Sequence, residues 1–145
     1  MKIACVGAGG WFFAKRLGDV AVTEGLHGAT IALYDIDRQK ADMTARLARR
    51  FSDEAGAGLK VECASSLAEA VEGASFVLAC VGGAGATGPG GYFESPTHIG
   101  DCAISARHGV YHIVGCTTGP VAMMAAFRCI PIYLDICREM ERHAP

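Results

Sequence analysis

Short apolar runs alternate with longer amphipathic stretches along the first half of the chain. Four runs have the length of buried strands, at residues 2–6, 29–34, 59–63 and 76–81. The stretches between them carry apolar residues at helical spacing, and the longest, residues 38–55, is followed by a typical C-terminal glycine. Strands that alternate with helices predict βαβ units and a parallel sheet, and continuously apolar strands predict a sheet covered on both faces.

The pattern therefore predicts an α/β fold, a Rossmann-type doubly wound parallel sheet in a three-layer α/β/α arrangement. No repeat or linker interrupts the 145 residues, so one domain over residues 1–145 accounts for the chain. Such a sheet normally continues, and the chain is expected to be truncated before further strands. The edge that this leaves exposed favours association into a homo-oligomer.

The second half of the chain is less regular. Residues 82–96 contain six glycines and two prolines, which predicts a loop. Helices are predicted over residues 97–107 and from Gly119 to about residue 143, where Pro131 should introduce a kink. Residues 110–114 fit either a short strand or a loop.

Composition excludes several classes of protein. Hydrophobic residues make up 51% of the chain and charged residues 19%, which excludes a disordered chain. A net charge of −2 and a pI near 6.2 provide no basic surface for nucleic acid. No stretch reaches about 18 uninterrupted apolar residues, so neither a membrane span nor a membrane partner is expected.

Seven cysteines show neither a CxxC pair nor a regular spacing. This disfavours a secreted disulfide framework and a structural zinc site, and it indicates a reducing, cytoplasmic location. Cys5 and Cys80 lie in apolar runs, where a free cysteine behaves as a small buried hydrophobe.

A glycine-rich turn follows the first predicted strand and opens the first helix: Gly7-Ala8-Gly9-Gly10-Trp11-Phe12. The dinucleotide fingerprint G-x-G-x-x-G is expected in this context. Gly7 would provide the tight turn, and Gly9 would let the backbone approach a pyrophosphate at the helix N-terminus. Phe12 takes the place of the third glycine, which predicts wider helix–strand spacing or a different helix start. Trp11 fits either a cover for the pyrophosphate or a core residue.

An acid at the end of the second strand completes the predicted cofactor site. Asp35 would accept hydrogen bonds from the adenosine ribose and repel a 2′-phosphate, which favours NAD over NADP. In the alternative, the turn only packs a helix and Asp35 caps the next one. Val81 and Gly82 end the fourth run, where the cofactor could lie against the backbone or the chain could simply turn.

Two segments near the end of the chain resemble a known family. Residues 115–120, Gly-Cys-Thr-Thr-Gly-Pro, and residues 126–131, Ala-Phe-Arg-Cys-Ile-Pro, are similar to conserved segments of glycoside hydrolase family 4. That family typically has Gly-Asp-Thr-x-Gly-Pro-Gly-Gly followed by a Leu-Arg-Thr-Ile-Pro helix. Leu-Asp-Ile at residues 134–136 extends the similarity.

The start of the chain is similar to the same family. Its Gly-x-Gly-Ser turn, with a phenylalanine a few residues on, is matched by Gly7, Gly9, Gly10 and Phe13, and its third fingerprint glycine is commonly absent. Tyr-Asp-Ile-Asp at residues 34–37 also matches. The resemblance covers essentially the whole chain, but only the N-terminal part of such an enzyme.

The resemblance implies an NAD- and divalent-metal-dependent glycosidase that acts on a small-molecule glycoside. In that chemistry NAD oxidises the sugar C3 hydroxyl, a base removes the C2 proton and the aglycone leaves by elimination. Water then adds and the hydride returns. Manganese is the usual metal, a Lewis acid on the C3 oxygen. The family's metal ligands and tyrosine base lie beyond residue 145, so no metal ligand is assigned here, and this chain alone is expected to be inactive.

The resemblance also suggests substrate-side residues. Cys116 stands where the family usually has an acid near the leaving group; alternatively it is a buried structural thiol. Thr117 and Thr118 could present hydroxyls or N–H groups to substrate or nicotinamide, or cap the last helix. Arg128 could bind an anionic group of the substrate or form a structural salt bridge.

Two other functions use the same cofactor site. One is an NAD-dependent oxidoreductase on a polyol or hydroxy acid, which would release NADH in turnover. The other is a non-catalytic NAD-binding module, which would bind the cofactor and turn over nothing.

Overall fold

A computed structural model of the chain describes residues 1–82, 95–111 and 118–144. The chain divides into two compact units. The first consists of Met1–Val81 and Ile136–Pro145, and the second is Gly82–Asp135. The single domain expected from the sequence stays a prediction.

The first unit is built on a parallel four-stranded sheet. Its strands are β1 (Lys2–Val6), β2 (Thr30–Tyr34), β3 (Lys60–Cys63) and β4 (Phe76–Ala79). Their order is β3-β2-β1-β4, and every pairing is parallel. This order begins the doubly wound series 3-2-1-4-5-6, so the predicted Rossmann-type α/β fold is confirmed.

Three helices connect the strands close to the predicted positions: α1 (Trp11–Val22), α2 (Arg38–Ala55) and α3 (Leu67–Val71). Local signals explain their ends. The Asp37 side chain accepts a hydrogen bond from the Lys40 N–H at the start of α2. Gly56 ends α2 in the left-handed conformation, with φ of 64°, a conformation that costs glycine little.

The sheet separates two apolar cores because successive β1 side chains point to opposite faces. Cys5 packs with Phe13 and Leu17 of α1 on one face. Ala4 packs with Val71 on the other, where Ile136 of the last helix, α5 (Gly119–His143), also belongs to the core. Each face of the central strand is therefore covered.

The edge strands do not have the coverage expected from their apolar sequence. Phe76 and Leu78 of β4 are exposed, and so are Lys60 and Glu62 of β3. Among the described residues β4 pairs with β1 alone, so one edge of β4 has no neighbouring strand. The prediction of a sheet covered on both faces is therefore wrong for these two strands.

The second unit contains α4 (Pro96–Arg107) and the first part of α5. Ser95 caps α4 by accepting a hydrogen bond from the His98 N–H at 3.2 Å. Pro131 lies within α5. Most of the predicted glycine-rich loop, residues 83–94, and most of the predicted strand or loop at residues 110–114 lie outside the described residues.

Helix α5 is long and apolar enough to cross a membrane by length and composition. Its most apolar 18-residue window has a mean hydropathy of 1.4, although Arg128 interrupts the apolar run. One such helix is by itself weak evidence of a membrane span. The absence of a membrane partner stays a prediction.

Burial protects one thiol and not the other. Cys5 is buried, as predicted, but Cys80 is exposed, as are Phe76 and Leu78 four and two residues before it. Burial raises the pKa of the Cys5 thiol to about 12. The pKa of this thiol in the unfolded chain is near 9.0. Below that pH the neutral thiol stabilises the fold, and this stabilisation is lost as the pH rises toward 12.

We expect iodoacetamide to modify the exposed Cys137 of the native protein at mildly alkaline pH and to leave Cys5 unmodified. In urea, both thiols should react. Peptide mass spectrometry after timed labelling measures both rates in one sample, so Cys137 is an internal control. Equal rates at Cys5 and Cys137 in the native protein would contradict the burial of Cys5.

Candidate cofactor-binding site

The turn after β1 fits tightly between the ends of β2 and β4. The N–H groups of Gly7 and Ala8 donate to the Tyr34 carbonyl at 2.9 and 3.0 Å. Gly7 has φ of +84°, and a Cβ there would overlap the Cys80 carbonyl oxygen and lie 3.2 Å from Cγ1 of Val81. Both the conformation and the space therefore require glycine at position 7.

A carboxylate at the end of β2 braces this turn. The Gly9 N–H donates to Oδ2 of Asp35 at 2.8 Å, and the Asp37 N–H donates to Oδ1 at 2.8 Å. A Cβ on Gly9 would lie 2.6 Å from Cβ of Lys40 and 3.0 Å from Asp35 Oδ2, so the backbone approach again needs glycine. The turn and the predicted acid are thus in direct contact.

The alternative in which Asp35 caps the next helix is wrong. The cap of α2 is Asp37, whose side chain accepts from the Lys40 N–H at 3.2 Å. This hydrogen bond holds the pKa of the Asp37 carboxyl below its usual range. Asp35 lies two residues before this cap, and its carboxylate instead contacts the glycine turn.

The N-terminus of α1 opens directly from the turn. Gly10 is its N-cap and makes no side-chain cap, and the first helical turn holds no acidic residue. The helix dipole and the backbone N–H groups at such an end favour an anion. This geometry is compatible with a pyrophosphate at the predicted place.

Phe12 fits where the fingerprint has its third glycine because its ring does not enter the core. The ring meets Phe13 edge to face at 5.2 Å between centroids, and the Arg16 guanidinium lies 5.7 Å from its centroid. The buried contact to the sheet is made by Phe13 instead. The helix begins at Trp11, next to the turn, and Phe12 is not among its buried residues.

The remaining predicted cofactor residues lie at or beside the same edge of the sheet. Trp11 is 75% exposed, so the core alternative for this residue is wrong. Val81 follows β4 and lies beside Gly7, and the exposed Gly82 comes next. The carboxyl ends of β1, β2 and β4 therefore meet here, where open α/β sheets bind their ligands.

The predicted substrate-side residues are in the second unit or undescribed. Arg128 of α5 forms an ion pair with Asp101 of α4, the arrangement expected of the structural alternative. Thr118 is exposed and directly precedes α5. Cys116 and Thr117 lie outside the described residues. The substrate roles of these residues stay predictions.

A row of buried polar residues on α4 and its N-cap was missed from the sequence. Its members are spaced three or four residues apart: Ser95, His98, Asp101 and Ser105. Cys102 lies beside it, with Sγ 3.6 Å from Nε2 of His98. The spacing alone shows that these residues share one face of α4. Polar residues on one helix face are normally expected to face solvent, so the sequence did not indicate burial.

The described ranges, residues 1–82, 95–111 and 118–144, bring no three His, Cys, Asp or Glu side chains together as a metal-binding group. None of these residues is therefore assigned to a metal.

Comparison with known proteins gives the family. The profile of family 4 glycosyl hydrolases matches residues 2–145. The α-galactosidase of Bacillus subtilis (strain 168) is 30% identical over 145 residues, covering 99% of this chain and 32% of that protein. The α-galacturonidase of Thermoanaerobacter italicus is 30% identical over 146 residues, covering 100% of this chain and 29% of that protein.

Solved structures share the fold. The Bacillus subtilis protein LplD superposes with a TM-score of 0.81 at 27% identity, over 100% of this chain and 31% of its own. A 6-phospho-β-glucosidase of Thermotoga maritima was solved with manganese, NAD+ and glucose-6-phosphate. It superposes with a TM-score of 0.78 at 22% identity, over 99% of this chain and 32% of its own. The chain thus spans about a third of the length of these relatives. It belongs to glycosyl hydrolase family 4.

Proposed function

We propose that the first unit binds NAD at the carboxyl ends of β1, β2 and β4. The pyrophosphate lies against Gly9 and Gly10 at the N-terminus of α1, and Asp35 binds the adenosine ribose. The exposed Trp11 and the Val81–Gly82 backbone border the same space. The hydrogen bond from the Gly9 N–H to Asp35 carries this proposal, because it joins the phosphate-binding turn to the ribose-binding acid.

The residues present fit the cofactor. Each carboxylate oxygen has two acceptor positions, so Asp35 can hold Gly9 and Asp37 and still accept the ribose hydroxyls. A Cβ at Gly7 or Gly9 would collide with neighbouring protein atoms, so the turn keeps this shape only with glycine at both positions. The negative charge of Asp35 also opposes a 2′-phosphate, which favours NAD over NADP.

The larger activity we propose is that of an NAD- and divalent-metal-dependent glycosidase, of which this chain is the cofactor-binding part. Bound NAD supplies transient oxidation of the sugar, which permits cleavage by elimination. Relatives named α-galactosidase and α-galacturonidase support a small-molecule glycoside as the substrate. Solved structures of similar fold that contain NAD or Mn²⁺ support both the cofactor and the metal. The metal would be held by residues other than the described ones. A cytoplasmic location is proposed with it.

Substrate-side roles belong to the same proposal. Cys116 stands at the position of the leaving-group acid, and Thr117 and Thr118 precede α5 beside it in sequence. The NAD-dependent oxidoreductase and the non-catalytic module would share the cofactor site. Release of free NADH would identify the oxidoreductase. Cofactor binding without turnover in the full-length protein would identify the non-catalytic module.

We expect Asp35→Ala to weaken NAD binding by about 1–3 kcal/mol, the scale of lost hydrogen bonds to a charged group. Isothermal titration calorimetry measures the affinity. Quenching of Trp11, the chain's single tryptophan, gives an independent reading. Asp37→Ala is the matched control, because it removes a neighbouring carboxylate that caps α2 and does not contact the turn. It should leave the NAD affinity within a few tenths of a kcal/mol.

Titration with NADP in parallel tests the role of the Asp35 charge. The wild-type chain should prefer NAD, and Asp35→Ala should narrow the ratio of the two affinities because the opposing charge is gone. If Asp35→Ala and Asp37→Ala have the same affinity for NAD, Asp35 is not in the site. Failure of the wild-type chain to bind NAD would overturn the proposal as a whole.

A further inference from the structure

A lysine of α2 lies against the glycine turn. A Cβ placed on Gly9 would come within 2.6 Å of the Cβ of Lys40 and within 3.0 Å of Oδ2 of Asp35. The Lys40 stem and the Asp35 carboxylate are therefore the two side-chain groups that border Gly9 most closely. The cofactor site proposed above uses Asp35 and gives no role to Lys40.

The start of α2 fixes the direction of this lysine. Lys40 is the third residue of the helix, and its N–H donates to the side chain of the capping Asp37 at 3.2 Å. Helical side chains lean toward the N-terminus of their helix, so the Lys40 stem extends toward the carboxyl edge of the sheet, where α2 begins. The flexible end of the side chain is thus on the cofactor side.

The ammonium group of Lys40 is held only by an exposed ion pair. Its Nζ lies 3.3 Å from Oδ2 of Asp37, and the two side chains are 49% and 42% exposed. Pairs this exposed contribute little to stability, because water screens the charges and a long side chain loses freedom when it is held. The ammonium can therefore exchange Asp37 for another nearby anion at little cost.

The charges fixed at the turn oppose a pyrophosphate. The Asp35 carboxylate accepts from the Gly9 N–H at 2.8 Å, so a negative charge lies beside the backbone that the pyrophosphate would approach. The dipole of α1 offsets part of this repulsion. A cation close to Gly9 would offset more of it, and Lys40 contacts the same glycine.

We propose that Lys40 is a phosphate-binding residue of the cofactor site, and that its ammonium group leaves Asp37 and pairs with the pyrophosphate when the dinucleotide binds. This inference rests on the proposed NAD site and adds a residue and a change of partner to it. Asp37 holds the ammonium beside the turn between binding events, and the exposed pair yields to the stronger charge of the two phosphates.

Calorimetric titration of Lys40→Met with NAD tests the proposal. Methionine keeps an apolar stem against Gly9 and is a good helix former, so circular dichroism should show an unchanged fold. The affinity should fall about 10-fold, the scale of one lost hydrogen bond to a charged group. Lys40→Arg keeps the charge and should stay within about 3-fold of the wild type.

Lys60→Met is the matched control. Lys60 is also an exposed lysine, but it stands at the start of β3, on the opposite edge of the sheet from the glycine turn. This variant should bind NAD like the wild type. An equal loss of affinity in Lys40→Met and Lys60→Met would overturn the proposal, because it would reflect the net charge of the chain.

Ionic strength separates an effect of charge from an effect of structure. Raising sodium chloride from about 50 to about 500 mM should weaken NAD binding by the wild type more than by Lys40→Met, because salt screens a charge that the variant lacks. An affinity ratio that stays the same at both salt concentrations would mean that Lys40 acts only through the shape of the turn, and would overturn the proposal.

Two further outcomes would overturn the inference and leave the NAD site standing. The first is a wild-type chain that binds NAD with the affinity of Lys40→Met. The second is a loss of affinity for NADP alone, which would place the ammonium at the 2′-phosphate. Failure of the wild-type chain to bind NAD is a different result, since it overturns the proposed function and this inference with it.

Discussion

Replacing Gly7 with alanine is expected to lower the free energy of unfolding by about 2–5 kcal/mol and to abolish NAD binding. Alanine would have to adopt the left-handed conformation that the fold requires at position 7, which costs about 1–2 kcal/mol outside glycine. It would also overlap the Cys80 carbonyl oxygen, and relieving such overpacking costs a further ~1–3 kcal/mol. Urea denaturation followed by circular dichroism measures the loss.

Gly28→Ala is the matched control for this substitution. Gly28 has φ of +74°, but nothing lies within 4 Å of the position that its Cβ would occupy. This variant should therefore lose only the conformational part and bind NAD normally. If both variants lose the same free energy of unfolding, the end of β4 moves to accept the methyl group at position 7. The tight fit between turn and strand would then contribute nothing to stability.

Replacing Arg128 with methionine is expected to destabilise the chain by about 2–4 kcal/mol. Asp101 is buried and would lose its cation, while methionine keeps most of the apolar stem. The estimate is below that for a fully buried pair because the Arg128 side chain is 28% exposed. Thermal and urea unfolding of the variant measure it.

Two further variants make the Arg128 result specific. Arg142→Met breaks an exposed pair with Glu139 and should cost less than ~1 kcal/mol. Asp101→Asn combined with Arg128→Met removes the stranded charge and should recover most of the stability. If Arg128→Met costs no more than Arg142→Met, the salt bridge is not structural and a substrate role for Arg128 gains support.

The strands and helices of the first unit could be predicted because their signals are local. Apolar runs and the terminal Gly56 each act within a few residues of the element they define. The predicted fourth strand extended two residues too far, since apolar character continues through Val81. In the structure β4 stops at Ala79, opposite Val6, because the turn at Gly7 begins there.

The contact between the glycine turn and Asp35 was predictable for the same reason, and the pairing within the second unit was not. The glycine turn and Asp35 occupy the places that a βαβ unit assigns to them. The pairing of Asp101 with Arg128 joins residues on two helices, 27 positions apart. It also reverses the usual rule that polar residues face water, so the periodicity of α4 could not reveal it.

The composition of the first unit has a consequence for folding during synthesis. Ala4 and Val6 are made first, yet Ile136 and Met140 complete the core on their side of the sheet. The Gly73 N–H donates to the His143 carbonyl at 2.9 Å, so this hydrogen bond also forms only after the end of α5 has been made. A nascent chain on the ribosome therefore carries a sheet with one apolar face incompletely covered until α5 emerges. Such late, long-range closure slows folding and prolongs the interval in which a chaperone can bind.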